Sequence, residues 1–111
     1  MWLIPVETDQ PVQLVLVSPS NVLKDMQTRV GGHLEELPLR KYGLTPRISG
    51  LVVYVNEDGL SLNLPRNTRA NASGLRGVVG PVLISCCDEC GDTVSMPLDL
   101  DTSEWRNQLF Q

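Results

Sequence analysis

The chain has 111 residues, of which 41% are hydrophobic and 20% charged, and these values are typical of one globular domain spanning residues 1–111. The formal net charge of −4 excludes the broad basic surface that a binder of double-stranded nucleic acid needs. No apolar run approaches the roughly 18 residues of a membrane span, and the three cysteines are too closely spaced for a disulfide framework. We therefore expect a cytoplasmic protein that binds neither duplex nucleic acid nor a membrane.

The charges are unevenly distributed along the chain. Residues 1–39 carry five acidic and two basic side chains, whereas residues 40–76 carry two acidic and six basic ones. Residues 86–111 carry six acidic side chains and one basic side chain. The basic middle of the chain is sufficient to hold one small anion, and a solvated, charge-balanced surface is the alternative interpretation.

Hydrophobic periodicity and turn residues predict the following elements in chain order. Residues 2–11 lead in as a loosely extended segment with Trp2 and Ile4 packed on the core. Apolar and β-branched runs predict strands at residues 12–17, 33–39, 51–55, 60–64, 78–85 and 93–96. Helix signals predict helices that start at Ser18-Pro19, near Asn67, and at the capping box of residues 101–104.

Two turn signals organise these elements. Gly31 and Gly32 are expected to end the first helix, because glycine adopts the left-handed C-cap conformation without steric cost. Residues 56–59 predict a hairpin turn between strands 51–55 and 60–64. The expected fold is α+β: a mostly antiparallel sheet of about five strands, with one helix packed on a face and a short C-terminal helix.

Four segments together resemble a known family. They are Val30-Gly31-Gly32-His33-Leu34-Glu35, Val53 with Asn56-Glu57-Asp58-Gly59, Leu64-Pro65-Arg66-Asn67, and Val79-Gly80-Pro81-Val82-Leu83-Ile84. In this order and spacing, over residues 12–96, they resemble the domain-of-unknown-function family 3846, small proteins found largely in bacteriophages and mobile elements. The resemblance implies a phage or plasmid accessory protein that acts in the host bacterial cytoplasm on a host or defence component, and it brings no catalytic assignment.

The cysteines form a potential metal-binding turn. Cys87 and Cys90 have the C-x-x-C spacing of a Zn²⁺-chelating pair, and Cys86 or His33 could supply a further ligand. A second clear ligand pair is missing, and the polar turn typical of the resembled family lacks these cysteines. We therefore expect no metal and no other cofactor. A small zinc-binding structural or regulatory module is the alternative hypothesis.

His33 and Glu35 fall on the same face of the predicted strand 33–39, an arrangement that acid–base catalysis can use. No nucleophile motif accompanies them, so we interpret His33 as a surface residue available for partner contact. The protein is accordingly expected not to be an enzyme.

The segment of residues 65–71 is the best candidate for ligand or partner contact. Its contact residues are Arg66, Asn67, Arg69 and Asn71. Two guanidinium groups and two amides beside a helix start can bind a phosphate or carboxylate through charge-assisted hydrogen bonds, although Asn67 can equally be a simple N-cap. We expect a non-catalytic protein that binds a host protein or a small anionic molecule, in an anti-defence or host-takeover role. A flat sheet face is also compatible with a homodimer.

Overall fold

The computed structural model describes residues 1–16, 20–88, 93–94 and 105–111, with the backbone alone at residues 93–94. Its strands are β1 (Trp2–Ile4), β2 (Gln13–Leu14), β3 (Leu34–Leu37), β4 (Leu51–Asn56), β5 (Val82–Cys87) and β6 (Thr93–Val94). Its helices are α1 (Val22–Val30), α2 (Thr68–Ala72) and α3 (Trp105–Leu109), with a 3₁₀ helix at Leu39–Tyr42. The described strands form one antiparallel sheet in the order β2-β1-β5-β4-β3, and β6 pairs with the end of β5. The predicted α+β class is confirmed.

Strand β4 lies inside the sheet, as its apolar sequence predicts. It pairs with β3 on one side and with β5 on the other, so that Val53 is aligned with both Leu37 and Ile84. Leu51, Val53 and Val55 point to the same face, where all three are buried. Burial of these side chains on a strand paired along both edges fixes its register, because a shift by one residue would expose all of them.

The sheet has a hydrophobic cluster on each face. The larger cluster joins the Trp2, Val53 and Ile84 face to apolar residues of α2, α3 and the loop before β5. The smaller cluster joins Leu83 to Met26 and Val30 of α1. Helix α1 therefore packs on one face of the sheet, and α2 and α3 pack on the other.

The end of α1 follows the prediction, but its start does not. Gly31 has φ +83° and its N–H donates to the carbonyl of Gln27, so it is the expected left-handed C-cap. The helix begins at Val22 with Asn21 in the N-cap position, later than the predicted start. The Ser18-Pro19 signal itself lies outside the described residues.

The predicted hairpin of strands 51–55 and 60–64 is wrong. Residues 57–63 form consecutive turns closed by local hydrogen bonds, such as those from the Leu62 N–H to the Asp58 carbonyl and from the Leu64 N–H to the Gly59 carbonyl. Strand β4 cannot accept residues 60–64 as a neighbour, because β3 and β5 already occupy both of its edges. Leu60 and Leu62 of this segment consequently remain exposed instead of covering a sheet face.

Other element boundaries differ from the expectation. The N-terminal lead-in contains β1, which lies between β2 and β5. Strand β5 starts after Pro81 because Gly80 has φ +76°, and it continues through Cys86 and Cys87, which were expected in a turn. Of the predicted strand 12–17, residues 13–14 form β2 and Val17 lies outside the described residues, and residues 39–42 form a 3₁₀ helix. The capping box of residues 101–104 and residues 95–96 lie outside the described residues.

Candidate functional site

Asn67, one of the four predicted contact residues, is a structural N-cap. It is fully buried, and its side-chain oxygen accepts a hydrogen bond from the Ala70 N–H at the start of α2. Its Nδ2 donates to the carbonyls of Ile4 and Gly80, each at 3.0 Å. Asn67 thus ties α2 to β1 and to the entry of β5, and no part of it is accessible to a partner.

Arg69 is also engaged with the protein itself. Its guanidinium donates to the backbone carbonyls of Pro5, Glu7 and Gln10, so it holds the loop between β1 and β2 in place. Its Nε is buried and has no hydrogen-bond partner among the residues that the structure describes. Arg69 therefore has a structural role in place of the predicted ligand or partner contact.

Asn71 closes the loop that follows α2. Its Nδ2 donates to the carbonyls of Asn67 and Val78, and its oxygen accepts from the Gly77 N–H at 2.7 Å. Arg66 differs from the other three candidates, since its side chain is exposed and only its backbone pairs with Val79. Of the four predicted residues, Arg66 alone is positioned to contact a partner.

His33 lies at the start of β3 and is exposed. Its Nδ1 is 4.0 Å from a carboxylate oxygen of Glu57, and both side chains are more than half exposed, at 76% and 55%. An ion pair in this setting is screened by water and contributes little to stability. His33 is therefore accessible for partner contact, and its prediction as a contact residue stays a prediction.

Asn56, which the sequence predicted only as part of a turn, connects α1 to the turn after β4. Its Nδ2 donates to the carbonyl of Val30 at the end of α1, and its Oδ1 accepts from the Asp58 N–H at 2.8 Å. A Cβ on Gly32 would lie only 2.9 Å from Asn56 Nδ2, so residue 32 must be glycine for this contact. A second glycine after the one that caps the helix is the signal in the sequence that could have revealed this close approach.

A cleft of about 220 Å³ lies beside this contact, at the end of β3 and β4. Its apolar lining comes from Leu37, Val55, Val78, Val79 and Leu60. Its polar lining comes from Asn56, Glu35, Glu57, Lys41 and Tyr42. Three of the four segments that carry the family resemblance thus contribute to one concave surface, whose acidic side chains outnumber its single lysine.

The turn at the cleft edge carries exposed leucines. Leu60, which lines the cleft, is 76% exposed, and Leu62 in the same turn is 57% exposed. Gly59 allows this turn to pack closely, because a Cβ at that position would lie 2.9 Å from a methyl carbon of Val79. Two exposed leucines beside a partly apolar concavity form a typical protein-docking feature.

The two described cysteines point to opposite faces of the sheet. Cys86 and Cys87 are consecutive residues of β5, and Cys86 is buried in the larger hydrophobic cluster. Burial raises the pKa of the Cys86 thiol, and the neighbouring Cys87 raises it further. A single metal ion cannot be shared by both thiols of this strand, which corrects the expectation that both lie in one turn. Cys90 lies outside the described residues.

Within the part of the chain that the structure describes, no group of three or more His, Cys, Asp or Glu side chains is placed to hold a metal ion. In the same residues, no helix has the length and apolar character needed to cross a membrane.

The fold and the cleft define a class of protein: a small α+β domain with an open antiparallel sheet and an acidic cleft at the end of β3 and β4. The family model described as Domain of unknown function (DUF3846) matches residues 1–109, and the chain belongs to this family. The resemblance noted over residues 12–96 is thereby confirmed and extended to nearly the whole chain. No curated protein and no solved structure matches the chain.

Proposed function

We propose that this protein is a non-catalytic binding protein that docks another protein at the cleft formed by β3, β4 and the turn of residues 57–63. The observation that carries the proposal is the exposure of Leu60 and Leu62 at the edge of a concavity with apolar walls. Burial of exposed leucines by a partner stabilises the complex, at about 25 cal/mol per Å² of apolar surface removed from water.

The charges favour a protein over a small anion as the ligand. Glu35 and Glu57 line the cleft, and a small phosphate or carboxylate would be repelled by both carboxylates. The arginine-rich segment that suggested an anion site has its Arg69 guanidinium engaged with three backbone carbonyls. Of the two expected ligands, a host protein or a small anionic molecule, the geometry of the cleft therefore favours a protein.

Family membership supports the cellular setting that we propose. Resembling accessory proteins of phages and mobile elements, this protein would act in the cytoplasm of a bacterial host, where the docked partner is a host or defence protein. Hydrophobic docking without a catalytic group is sufficient for such a role, because a bound accessory protein can block a surface or hold its partner in one conformation.

Site-specific photo-crosslinking tests the docking surface. A benzophenone amino acid is placed at Leu62 in one variant and at Leu23 of α1 in the other, since these leucines are similarly exposed, at 57% and 60%. In a bacterial host, we expect a defined cross-linked species from position 62 and none from position 23. The cross-linked protein is then purified, and its affinity is measured for the wild-type chain and for the variant with Leu60→Ser and Leu62→Ser.

The serine variant should keep the stability of the wild type within about 0.5 kcal/mol, because both leucines are on the surface. Its affinity should fall at least tenfold, which corresponds to about 1.4 kcal/mol. Equal cross-linking from both positions, or an unchanged affinity of the serine variant, would contradict docking at this cleft. Cross-linking of the chain only to itself would identify a homodimer interface in place of a partner site.

A further inference from the structure

The outer edge of β3 is unpaired among the strands that the structure describes. The register with β4 aligns Leu34 with Asn56 and Leu37 with Val53, and the Glu57 N–H donates to the His33 carbonyl. In an antiparallel ladder with this register, the backbone N–H and C=O groups of residues 33, 35 and 37 face β4. The backbone N–H and C=O groups of Leu34 and Glu36 therefore point away from the sheet. These outward groups are the hydrogen-bonding edge that another strand requires.

The edge has a defined length. It begins at the exposed His33 and ends at Pro38, whose carbonyl accepts a hydrogen bond from the Lys41 N–H in the 3₁₀ helix that follows. A short extended segment therefore fits alongside β3, and a long continuous strand does not.

The charges of the edge select the kind of strand that can pair. Glu35 and Glu36 project to opposite faces of β3, both exposed, and Glu57 and Asp58 lie at the neighbouring end of β4. Two copies of β3 paired with each other would bring like charges together, which opposes self-association through this edge. A strand with lysine or arginine side chains would instead place opposite charges next to these carboxylates.

The cleft lies on one face of the same strand. Glu35 and Leu37 lie two residues apart, so their side chains share the face of β3 that lines the cleft. The exposed Leu60 of the turn lines the same cleft. An added strand would present every second side chain to this concavity and the intervening side chains to the face that carries Glu36. Apolar residues on the added strand would match the cleft, and cationic residues between them would match the face that carries Glu36.

We propose that β3 accepts an extended cationic segment of a partner protein as an additional strand, with its alternate apolar side chains entering the cleft. This inference rests on the proposed protein-docking function and specifies the chemistry of the docked segment. Backbone hydrogen bonds to Leu34 and Glu36 supply the pairing, and the acidic side chains select against neutral and anionic segments.

Peptide binding to the ¹⁵N-labelled wild-type protein tests the inference. The probe is a terminally blocked heptapeptide in which Lys and Val alternate. The first control replaces every Lys by Glu, and the second is the cationic peptide with N-methyl groups along one edge of its backbone. We expect the cationic probe to shift and protect the amides of Leu34 and Glu36, whereas both controls should bind at least tenfold more weakly.

A charge-reversal pair provides the matched protein variants. Glu36→Lys should weaken binding of the cationic probe at least tenfold, and Glu36→Gln should have an intermediate effect. Asp9→Lys makes the same charge change at an exposed position in the loop between β1 and β2, and it should leave binding unchanged. Equal effects of Glu36→Lys and Asp9→Lys would reduce the interaction to nonspecific charge attraction and overturn the proposal.

The outcomes distinguish this inference from the proposed function. If the probe does not bind, or if its N-methylated form binds equally well, the added-strand inference fails. Specific cross-linking from position 62 would in that case still support protein docking at the cleft. If neither the cross-link nor the peptide is observed, both proposals fail together.

Discussion

Two asparagine side chains connect segments that are far apart in the chain, and a third closes a local loop. Asn56 joins the end of α1 to the turn after β4, Asn67 joins β1 to α2 and the entry of β5, and Asn71 closes the loop after α2. An amide suits this role because it offers an acceptor and two donors without carrying a charge into the protein interior. Removal of such a side chain leaves buried backbone carbonyls without donors, which costs about 1–3 kcal/mol for each such group.

Gly32→Ala tests the close approach of residue 32 to Asn56. The new Cβ would lie 2.9 Å from Asn56 Nδ2, so the amide must move away from the Val30 carbonyl. We expect the free energy of unfolding, measured in urea, to fall by about 1–2 kcal/mol, the cost of one buried hydrogen bond.

A double-mutant cycle supplies the control for this prediction. In a background with Asn56→Ala, Gly32→Ala should cost little or even stabilise, because no amide remains to be displaced and alanine lowers the entropy of the unfolded chain. Purely additive effects of the two substitutions would show that the cost of Gly32→Ala arises elsewhere.

At the level of the secondary-structure elements, short strands and helices are held by single side chains. Strand β2 has two residues, and α2 has five, so neither is stable by itself. The Arg69 guanidinium of α2 fixes the loop that leads from β1 to β2, and the Arg47 side chain fixes the C-terminal segment through the Phe110 carbonyl. Guanidinium groups are well suited to this because they donate several hydrogen bonds from a rigid plane.

Arg69→Ala and Arg66→Ala form a matched pair in the same segment. Arg69→Ala should lower the free energy of unfolding by about 1–3 kcal/mol, because three carbonyls lose a charged donor. Arg66→Ala should change it by less than about 0.5 kcal/mol, because this side chain is exposed.

Hydrogen exchange locates the effect of Arg69→Ala. We expect faster exchange at the amides of residues 6–10 and at Val15, whose N–H pairs with Met1 beside the loop. Equal stability of the two variants would mean that water satisfies these carbonyls as well as the guanidinium does.

At the scale of the whole molecule, stability should fall at alkaline pH. Burial, the nearby Cys87 and Glu36 raise the pKa of Tyr54 to about 12, and burial raises the pKa of Cys86 above its ordinary value of 9.0. In both cases the folded state retains a proton that the unfolded chain releases first, so stability decreases as the pH rises. Burial lowers the pKa of the N-terminal amino group below 8.0, so this group titrates outside the alkaline window.

We expect the free energy of unfolding to decline between about pH 9 and 12. Tyr54→Phe should make the decline shallower between pH 10 and 12, and Cys86→Ala should do so from about pH 9. Urea titrations at closely spaced pH values measure the slope. A profile with Tyr54→Phe identical to the wild type over the upper range would contradict the raised pKa of Tyr54.

The sequence by itself determined the features that depend on neighbouring residues. Local pattern and backbone preference determine the antiparallel α+β class, the internal position of β4, the glycine cap of α1 and a helix start near Asn67. The buried positions of Trp105 and Leu109 on α3 agree with their helical spacing. Each of these features is fixed by contacts within a few residues or by one face of one element.

Only the tertiary structure decided the features that depend on competition between distant segments. Residues 60–64 alternate like a strand, but β3 and β5 occupy both edges of β4, so Leu60 and Leu62 stay exposed beside the cleft. Asn67 and Arg69 look like ligand contacts in the sequence, yet backbone carbonyls of β1 and its following loop take their donors. The sequence pattern indicates which groups a residue can bind. The packing of the whole chain determines which of those groups lies within hydrogen-bonding distance.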